Sequence, residues 1–296
     1  MERRVLGLAL GSGAAFGLAH IGVLRVIERE NIGIDVISGS SIGALIAAIW
    51  GLGFSSDDIE RIAKRLRLRL NIMRLMDFTF PISGILAGRR LRRFLKAILG
   101  EKRFEDLKIP VKIMVYDLAN RETLAIDKGR LLDAVYKSIA VPGIFSPIIE
   151  DDRMLVDGGV LDPVPVDILF KNGATNVIAV NVLPSPKDIY ERNMALREIA
   201  KEEENIIRQG LLTEQLDVHM TRFFRKIFTP NIFDVIMTSM QAMEYNIAEN
   251  SCRKADISLH PVLSDATSID FQLVKRFIKR GEDEVLKYIQ DIKALV

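Results

Sequence analysis

The stretch Asp35-Val-Ile-Ser-Gly-Ser-Ser-Ile-Gly-Ala-Leu-Ile-Ala-Ala-Ile49 decides how this chain folds. Val36 and Ile37 end a buried strand, and Ala44 to Ile49 is helix-forming material with no breaker before Gly51. Between them lies Gly39-Ser40-Ser41-Ile42-Gly43, a G-x-S-x-G at a strand-to-helix junction, the setting of a nucleophile elbow. Such a turn holds its serine in a strained backbone conformation, and bulk on either side would keep it from closing. Ser41 Oγ then projects from the tip, with the helix N-terminus behind it to favour negative charge. The plainer interpretation of the same residues is a tight Gly/Ser turn in an α/β fold.

Working outward, Val5-Leu-Gly-Leu-Ala-Leu10 reads as a central strand, apolar on both faces as parallel strands are. Gly11-Ser12-Gly13-Ala14-Ala15-Phe16-Gly17 follows and enters a helix through Val23, Leu24 and Ile27. A Gly-rich loop opening a helix presents backbone N–H groups to an anion. It fits neither G-x-G-x-x-G nor a Walker loop, and no Lys follows where a phosphate would sit. An oxyanion hole facing the Ser41 elbow is the better use, because a tetrahedral intermediate concentrates charge on one oxygen.

A chain of 296 residues, 49% hydrophobic, can bury a large core. A net charge of +2 gives no sign of a nucleic-acid binder. Cys252 is the only cysteine, so no internal disulfide or cysteine metal site forms, and a reducing cytoplasm fits. His20, His219 and His260 have no metal-ligand spacing. Val5 to Leu24 and Val36 to Ser56 carry no Asp, Glu, Lys or Arg, but glycines placed where a turn would interrupt a helix make two strand-loop-helix units a better account than a signal peptide or a membrane span.

Further along, helices are expected over Asp57 to Leu70, Arg89 to Leu99 and Leu131 to Ile139, and a closing amphipathic helix over Ile269 to Ile292. Val111 to Tyr116 and Glu122 to Ile126 read as paired strands, Ile148-Ile149 and Arg153 to Val156 as a hairpin, and Ala174 to Val182 and Asp256 to Leu259 as further strands. Asn71 to Ala87, with Met73, Leu75, Met76, Phe78 and Phe80, suits either an acyl-site lining or ordinary core. Met220 to Met237 mixes Arg222, Arg225 and Lys226 with phenylalanines, as a membrane-surface helix, a lid or a packed helix would. Pro184-Ser-Pro186 marks a boundary, followed by a charged helix from Asp188 to Gln209. Asp157-Gly158-Gly159 directly follows a hydrophobic strand, which puts a carboxylate on a tight turn at the edge where α/β sheets bind ligands. Asp157 is thus the candidate partner of Ser41; an Asp capping its own turn would look the same in sequence.

Taken together, Leu10-Gly-Ser-Gly-Ala-Ala-Phe-Gly-Leu-Ala-His-Ile-Gly-Val-Leu24, Gly39-Ser-Ser-Ile-Gly43, Ala140-Val-Pro-Gly-Ile-Phe-Ser-Pro147 and Val156-Asp-Gly-Gly-Val-Leu-Asp-Pro-Val-Pro165 resemble the patatin-like phospholipase family in content, order and spacing. The resemblance covers roughly residues 5 to 182. It implies an α/β protein, a three-layer α/β/α sandwich with a mostly parallel sheet of the patatin or FabD-lysophospholipase-like kind. It also implies one catalytic domain over 1–296, its core at about 5–182 and a helical lid or closing region at about 185–296. The activity implied is hydrolysis of fatty-acyl esters of phospholipids, lysophospholipids or related lipids, without metal or cofactor. Ser41 would be the nucleophile and Asp157 the general base. The N–H groups of Gly13, Ala14 and Ala15 would form the oxyanion hole, supported by Gly11, Ser12, Gly17, Gly39, Gly43, Gly158 and Gly159. The implied partner is a lipid substrate, with peripheral membrane contact through 71–87 and 220–237 and a cytoplasmic or membrane-peripheral location. Phe16 departs from the family, which usually carries Arg or Lys there, and so bears on loop rigidity and on preference for phosphate-bearing substrates. Three alternatives stay open: a Ser41–Asp157–His260 triad, a lipid-binding protein without turnover, and an acyltransferase using the same serine.

Overall fold

The computed structural model describes residues 4–69, 88–195, 198 and 232–296. Its strands are β1 (Leu6–Leu10), β2 (Val36–Ser40), β3 (Val111–Asp117), β4 (Glu122–Ile126), β5 (Ile148–Glu150), β6 (Arg153–Asp157), β7 (Asn176–Val180) and β8 (Ile257–Leu259). They form one sheet in the order β5-β6-β3-β2-β1-β7-β8, with β4 also paired to β3. β3-β2-β1-β7-β8 run parallel, whereas β4, β6 and β5 join as antiparallel hairpins. The helices are α1 (Ala19–Arg29), α2 (Ile42–Gly51), α3 (Ser56–Arg69), α4 (Arg89–Leu99), α5 (Leu131–Ser138), α6 (Asp167–Lys171), α7 (Ile232–Cys252), α8 (Val274–Lys287) and α9 (Ile289–Ala294).

The period-2 alternation of strands separates the two faces of the sheet. Leu6, Leu8 and Leu10 of β1 and Ile178 and Val180 of β7 join the core that contains Ile21 and Leu24 of α1 and Phe277 of α8. Ala9, Val177 and Ala179 face the other way, against Leu169 of α6 and Ala248 and Cys252 of α7. Large side chains thus serve one face and small ones the other, giving the three layers expected of an α/β/α sandwich. Val5 to Leu24 and Val36 to Ser56 are buried strand-loop-helix units. No helix among the described residues is long and apolar enough to cross a membrane.

One detail differs from the sequence expectation. The closing helix is not continuous: a short 3₁₀ turn at Phe271–Leu273 precedes α8, and Tyr288 (φ −110°, ψ 10°) separates α8 from α9. Tyr288 N–H donates to Val285 O at 3.0 Å, three residues back, which tightens the last turn and ends the helix. The chain also divides into two compact units, residues 1–183 with 244–296, and residues 184–243. The C-terminal segment therefore belongs with the sheet, contributing β8 at its edge and α8 against α1. The segment 71–87 and most of 220–237, with the membrane contacts expected of them, lie outside the described residues, as does the end of the charged helix beyond 198.

Candidate active site

Ser41 has φ 55° and ψ −121°, a conformation strained for a residue with a side chain. The flanking glycines are required by close approach. A Cβ on Gly39 would lie 2.7 Å from Ala44 N, and one on Gly43 2.2 Å from Leu10 O. Ser41 N–H donates to Ser138 Oγ at 2.9 Å, which ties the elbow to the end of α5. The elbow serine is 7% exposed.

Sheet register brings the distant motifs together. Leu10 pairs with Gly39, so the Gly-rich loop leaves β1 beside the point where Ser41 leaves β2. Ser40 pairs with Met114, and Val115 with Asp157, so Ser41 and Asp157 stand in adjoining rows of the same edge, two strands apart. β6 runs antiparallel, so its last residue points back into the sheet; the register, with Asp157 opposite Val115 of the longer strand β3, is what leaves it level with the end of β2. Past Asp157, the chain crosses back over the strand ends. Ser12 N–H donates to Pro163 O at 2.8 Å, Ser40 Oγ to Asp162 O at 2.5 Å and Ser38 Oγ to Pro165 O at 2.6 Å.

Asp157 is buried, 4% exposed, and its backbone N–H donates to Ala140 O at 3.0 Å. Its carboxylate accepts from Gly159 N–H at 2.7 Å, and the Ser41 hydroxyl lies near enough to favour its charged form. It caps its own turn and faces the serine at once, so the two interpretations of this Asp coexist. Burial pushes its carboxyl up from 3.8 to about 7, against the opposing pull of the Ser41 hydroxyl and the Gly159 N–H.

In the Gly-rich loop, Gly11 N–H donates to Val180 O at 3.0 Å and Phe16 N–H to Gly13 O at 3.1 Å. Ala15, expected as a third oxyanion donor, has its N–H engaged by Ser268 O at 3.0 Å. The N–H groups of Gly13 and Ala14 meet no acceptor among the described residues. Both residues have positive φ, 151° and 49°, which turns the loop backbone sharply where the donors lie. Phe16 is a core residue: its ring meets that of Phe277 edge to face, with centroids 5.9 Å apart. Packing onto α8 here secures the loop where the family usually places a cation. Gly17 lies against Ile42, Gly158 against the Met114 backbone and Gly11 against Val180 O, each too close for a Cβ.

His20 Nε2 lies 2.8 Å from Gly11 O, which makes Nε2 the protonated nitrogen. Burial lowers this imidazole to about 4, partly offset by that hydrogen bond, so it is a neutral prop for the loop. Nδ1 of His20 and Oγ of Ser12 are buried and have no partner among the described residues. The triad alternative finds no support, because His260 directly follows β8, three strand spacings or about 14 Å from β2, with Nδ1 3.4 Å from Glu249 Oε1. Sequence reasoning missed Ser138 and Ala140, which hold the backbones of Ser41 and Asp157. The only signal for Ala140 was the stretch Ala140 to Pro147, a motif without an assigned role, and Ser138, just before it, had none.

The family model for patatin-like phospholipases matches residues 8–170, more than half of the chain. An uncharacterised NTE family protein of Mycobacterium tuberculosis is 36% identical over 177 residues, 60% of this chain and 49% of its own length. The neuropathy target esterase of Drosophila melanogaster is 31% identical over 181 residues, 60% of this chain and 13% of its own length. A lysophospholipase of Candida albicans is 29% identical over 184 residues, 62% of this chain and 13% of its own. The match thus spans half or less of these curated relatives. Among solved structures, VipD from Legionella pneumophila aligns with a TM-score of 0.53 at 13% identity, covering 98% of this chain and 67% of that one. At that identity the likeness bears on fold alone.

Proposed function

The chain belongs to the patatin-like phospholipase family, and on that premise we propose that it is a serine acyl hydrolase that cleaves fatty-acyl esters of lysophospholipids, phospholipids or related lipids through a Ser41–Asp157 dyad. The observation that carries this reading is the buried carboxyl of Asp157, set by the sheet register level with the strained Ser41 elbow; burial pushes it up to about 7. An ordinary aspartate is too weak a base to take a serine proton; one whose charge is disfavoured by burial accepts it more readily.

In the first half of the cycle Ser41 Oγ bonds to the ester carbonyl carbon as its proton passes to Asp157. The carbonyl oxygen becomes an oxyanion, held by the N–H groups of Gly13 and Ala14 and favoured by the N-terminus of α2. The C–O bond to the alcohol then breaks, the alcohol leaves with the proton from Asp157, and the acyl group stays on Ser41. Water, deprotonated by the same carboxylate, attacks the acyl carbon, and the fatty acid leaves as Ser41 regains its proton. The names of the esterase and lysophospholipase relatives favour lipid esters as the substrate class.

The test is hydrolysis of a p-nitrophenyl ester and a lysophospholipid by wild type, Ser41→Ala and Asp157→Ala. Turnover by wild type, reduced about 10³-fold or more by each substitution in folded protein, is expected. Full activity in either variant would overturn the dyad, and an inactive wild type would overturn the hydrolase.

A further inference from the structure

α4 reads Arg89-Arg-Leu-Arg-Arg-Phe-Leu-Lys-Ala-Ile-Leu99, with five cations and no acidic residue. The chain as a whole is nearly balanced, with 41 Lys and Arg against 39 Asp and Glu. Leu95 and Leu99 of this helix are buried, whereas Arg89, Arg90, Arg92, Arg93 and Lys96 are all exposed. Arg92 pairs with Asp133 at 2.7 Å and Lys96 with Glu101 at 3.4 Å. Arg89 and Arg93, one turn apart on the same stripe, meet no acidic partner among the described residues. Arg89 and Arg90 also occupy the first turn, where the helix dipole favours anions, so local stability does not account for them.

The placement of α4 follows from α5. A Cβ on Gly88 would lie 2.5 Å from the Tyr136 hydroxyl, and the Arg92 guanidinium lies 5.8 Å from the centre of that ring. At the other end, Leu131 N–H donates to Lys102 O at 2.9 Å. The two helices are therefore antiparallel, and the first turn of α4 lies beside the last turn of α5. That last turn ends at Ser138, whose Oγ holds the Ser41 N–H, and Ala140 O beyond it holds the Asp157 N–H. Arg89 and Arg93 thus stand at the end of the molecule that carries the candidate site. Apolar surface lies at the same end: Leu161, four residues past Asp157, is 45% exposed, and Ile144 and Phe145 after α5 are half-buried. The β5–β6 turn, Glu150 to Asp152, is acidic, with Glu150 2.6 Å from Lys137 Nζ, which leaves α4 as the cationic part of this surface.

We propose that the exposed face of α4, centred on Arg89, Arg93 and Lys96, docks the protein on an anionic lipid surface with the candidate site turned toward the bilayer. Cations beside exposed apolar side chains are what an interfacial contact needs. The charges are drawn to anionic head groups, and the apolar groups enter the boundary beneath them. The inference rests on the lipid-ester reading above and deepens it, because it brings the site to esters held in a bilayer. Vesicle binding itself needs no turnover, so the two readings fail separately.

The experiment measures co-sedimentation of the full chain with vesicles of phosphatidylcholine alone or with about one third phosphatidylglycerol, in about 0.1 M and about 1 M salt. Wild type should favour the anionic vesicles at least about tenfold and lose that preference in about 1 M salt, where the screening length falls to about 3 Å. These two readings are taken on wild type and need no variant. Arg89→Glu/Arg93→Glu/Lys96→Glu should weaken binding on the order of 100-fold, about fivefold for each cation removed. It should keep its thermal transition and its turnover of a soluble p-nitrophenyl ester. The same reversal at Lys171, Arg253 and Lys275, exposed cations away from α4, should change binding little. No binding to either vesicle, equal binding to both, or an equal loss in the two triple variants would overturn the inference and leave the hydrolase untouched. Binding that depends on α4, without Ser41-dependent ester turnover, would support the docking face and overturn the hydrolase.

Discussion

At the scale of single residues, the site is held under electrostatic tension. Asp157 is raised from 3.8 to about 7 by burial, so the folded state resists its ionisation. A carboxyl raised by folding contributes stability that is fully present below its unfolded value and is lost as pH rises through its folded one. Between about pH 4 and pH 7 this one group should therefore cost the fold about 4 kcal/mol. Asp157→Asn removes the cost, and its melting temperature should exceed wild type by more at pH 8 than at pH 5. A gain that is equal at both pH values would contradict the assignment. The same residue would then limit stability and supply the base, the trade expected at a catalytic group. His20 illustrates the opposite solution, kept neutral by burial against the opposing pull of its hydrogen bond to Gly11 O, so that the Gly-rich loop carries no buried charge. Phe16 shows how a departure from family pattern is absorbed: its ring secures the loop through Phe277.

At the scale of elements, the position of the Gly-rich loop depends on how closely α1 meets α8. A Cβ on Gly22 would lie 1.9 Å from Ile278 O, and one on Gly281 2.0 Å from Ala19 O, so the two backbones touch at a pair of glycines. Arg25 of α1 joins the same contact to α3, with Asp57 at 2.8 Å, Glu60 at 2.5 Å and Glu282 at 3.0 Å. Gly281→Ala should force the helices apart and destabilise the protein by about 1–3 kcal/mol in denaturant unfolding. Gly33→Ala, with nothing within 4 Å of the added carbon, should be neutral or slightly stabilising. Equal effects at the two positions would show that the close crossing does not limit stability. Most elements were readable because their signals are local: β-branched runs for β2 and β3, a Ser55 or Ser56 cap for α3, glycine turns between. The break at Tyr288 was not, because an amphipathic pattern continues across it and only the hydrogen bond to Val285 ends the helix.

At the scale of the whole molecule, the motif-bearing residues 5–182 do not make up the unit that carries the site. That unit also needs 244–296, which supply β8 and the helix α8 whose Phe277, Ile278 and Val285 are buried in the main core. A chain ending at Leu183 should consequently lose cooperative unfolding and bind a hydrophobic dye, as measured by calorimetry and fluorescence; a sharp thermal transition would show that the shorter unit suffices. The sequence alone determined the fold class and the candidates Ser41 and Asp157, because both sit in short motifs whose geometry is imposed by neighbours in the chain. It also pointed to the Gly-rich loop, since glycine spacing is a local property. Only the tertiary structure decided which loop donors are free, taking Ala15 away through Ser268, and that Ser138 and Ala140 hold the site. Those features depend on which distant backbone atoms meet across the sheet, and on how far burial shifts a carboxyl, and neither leaves a pattern along the chain.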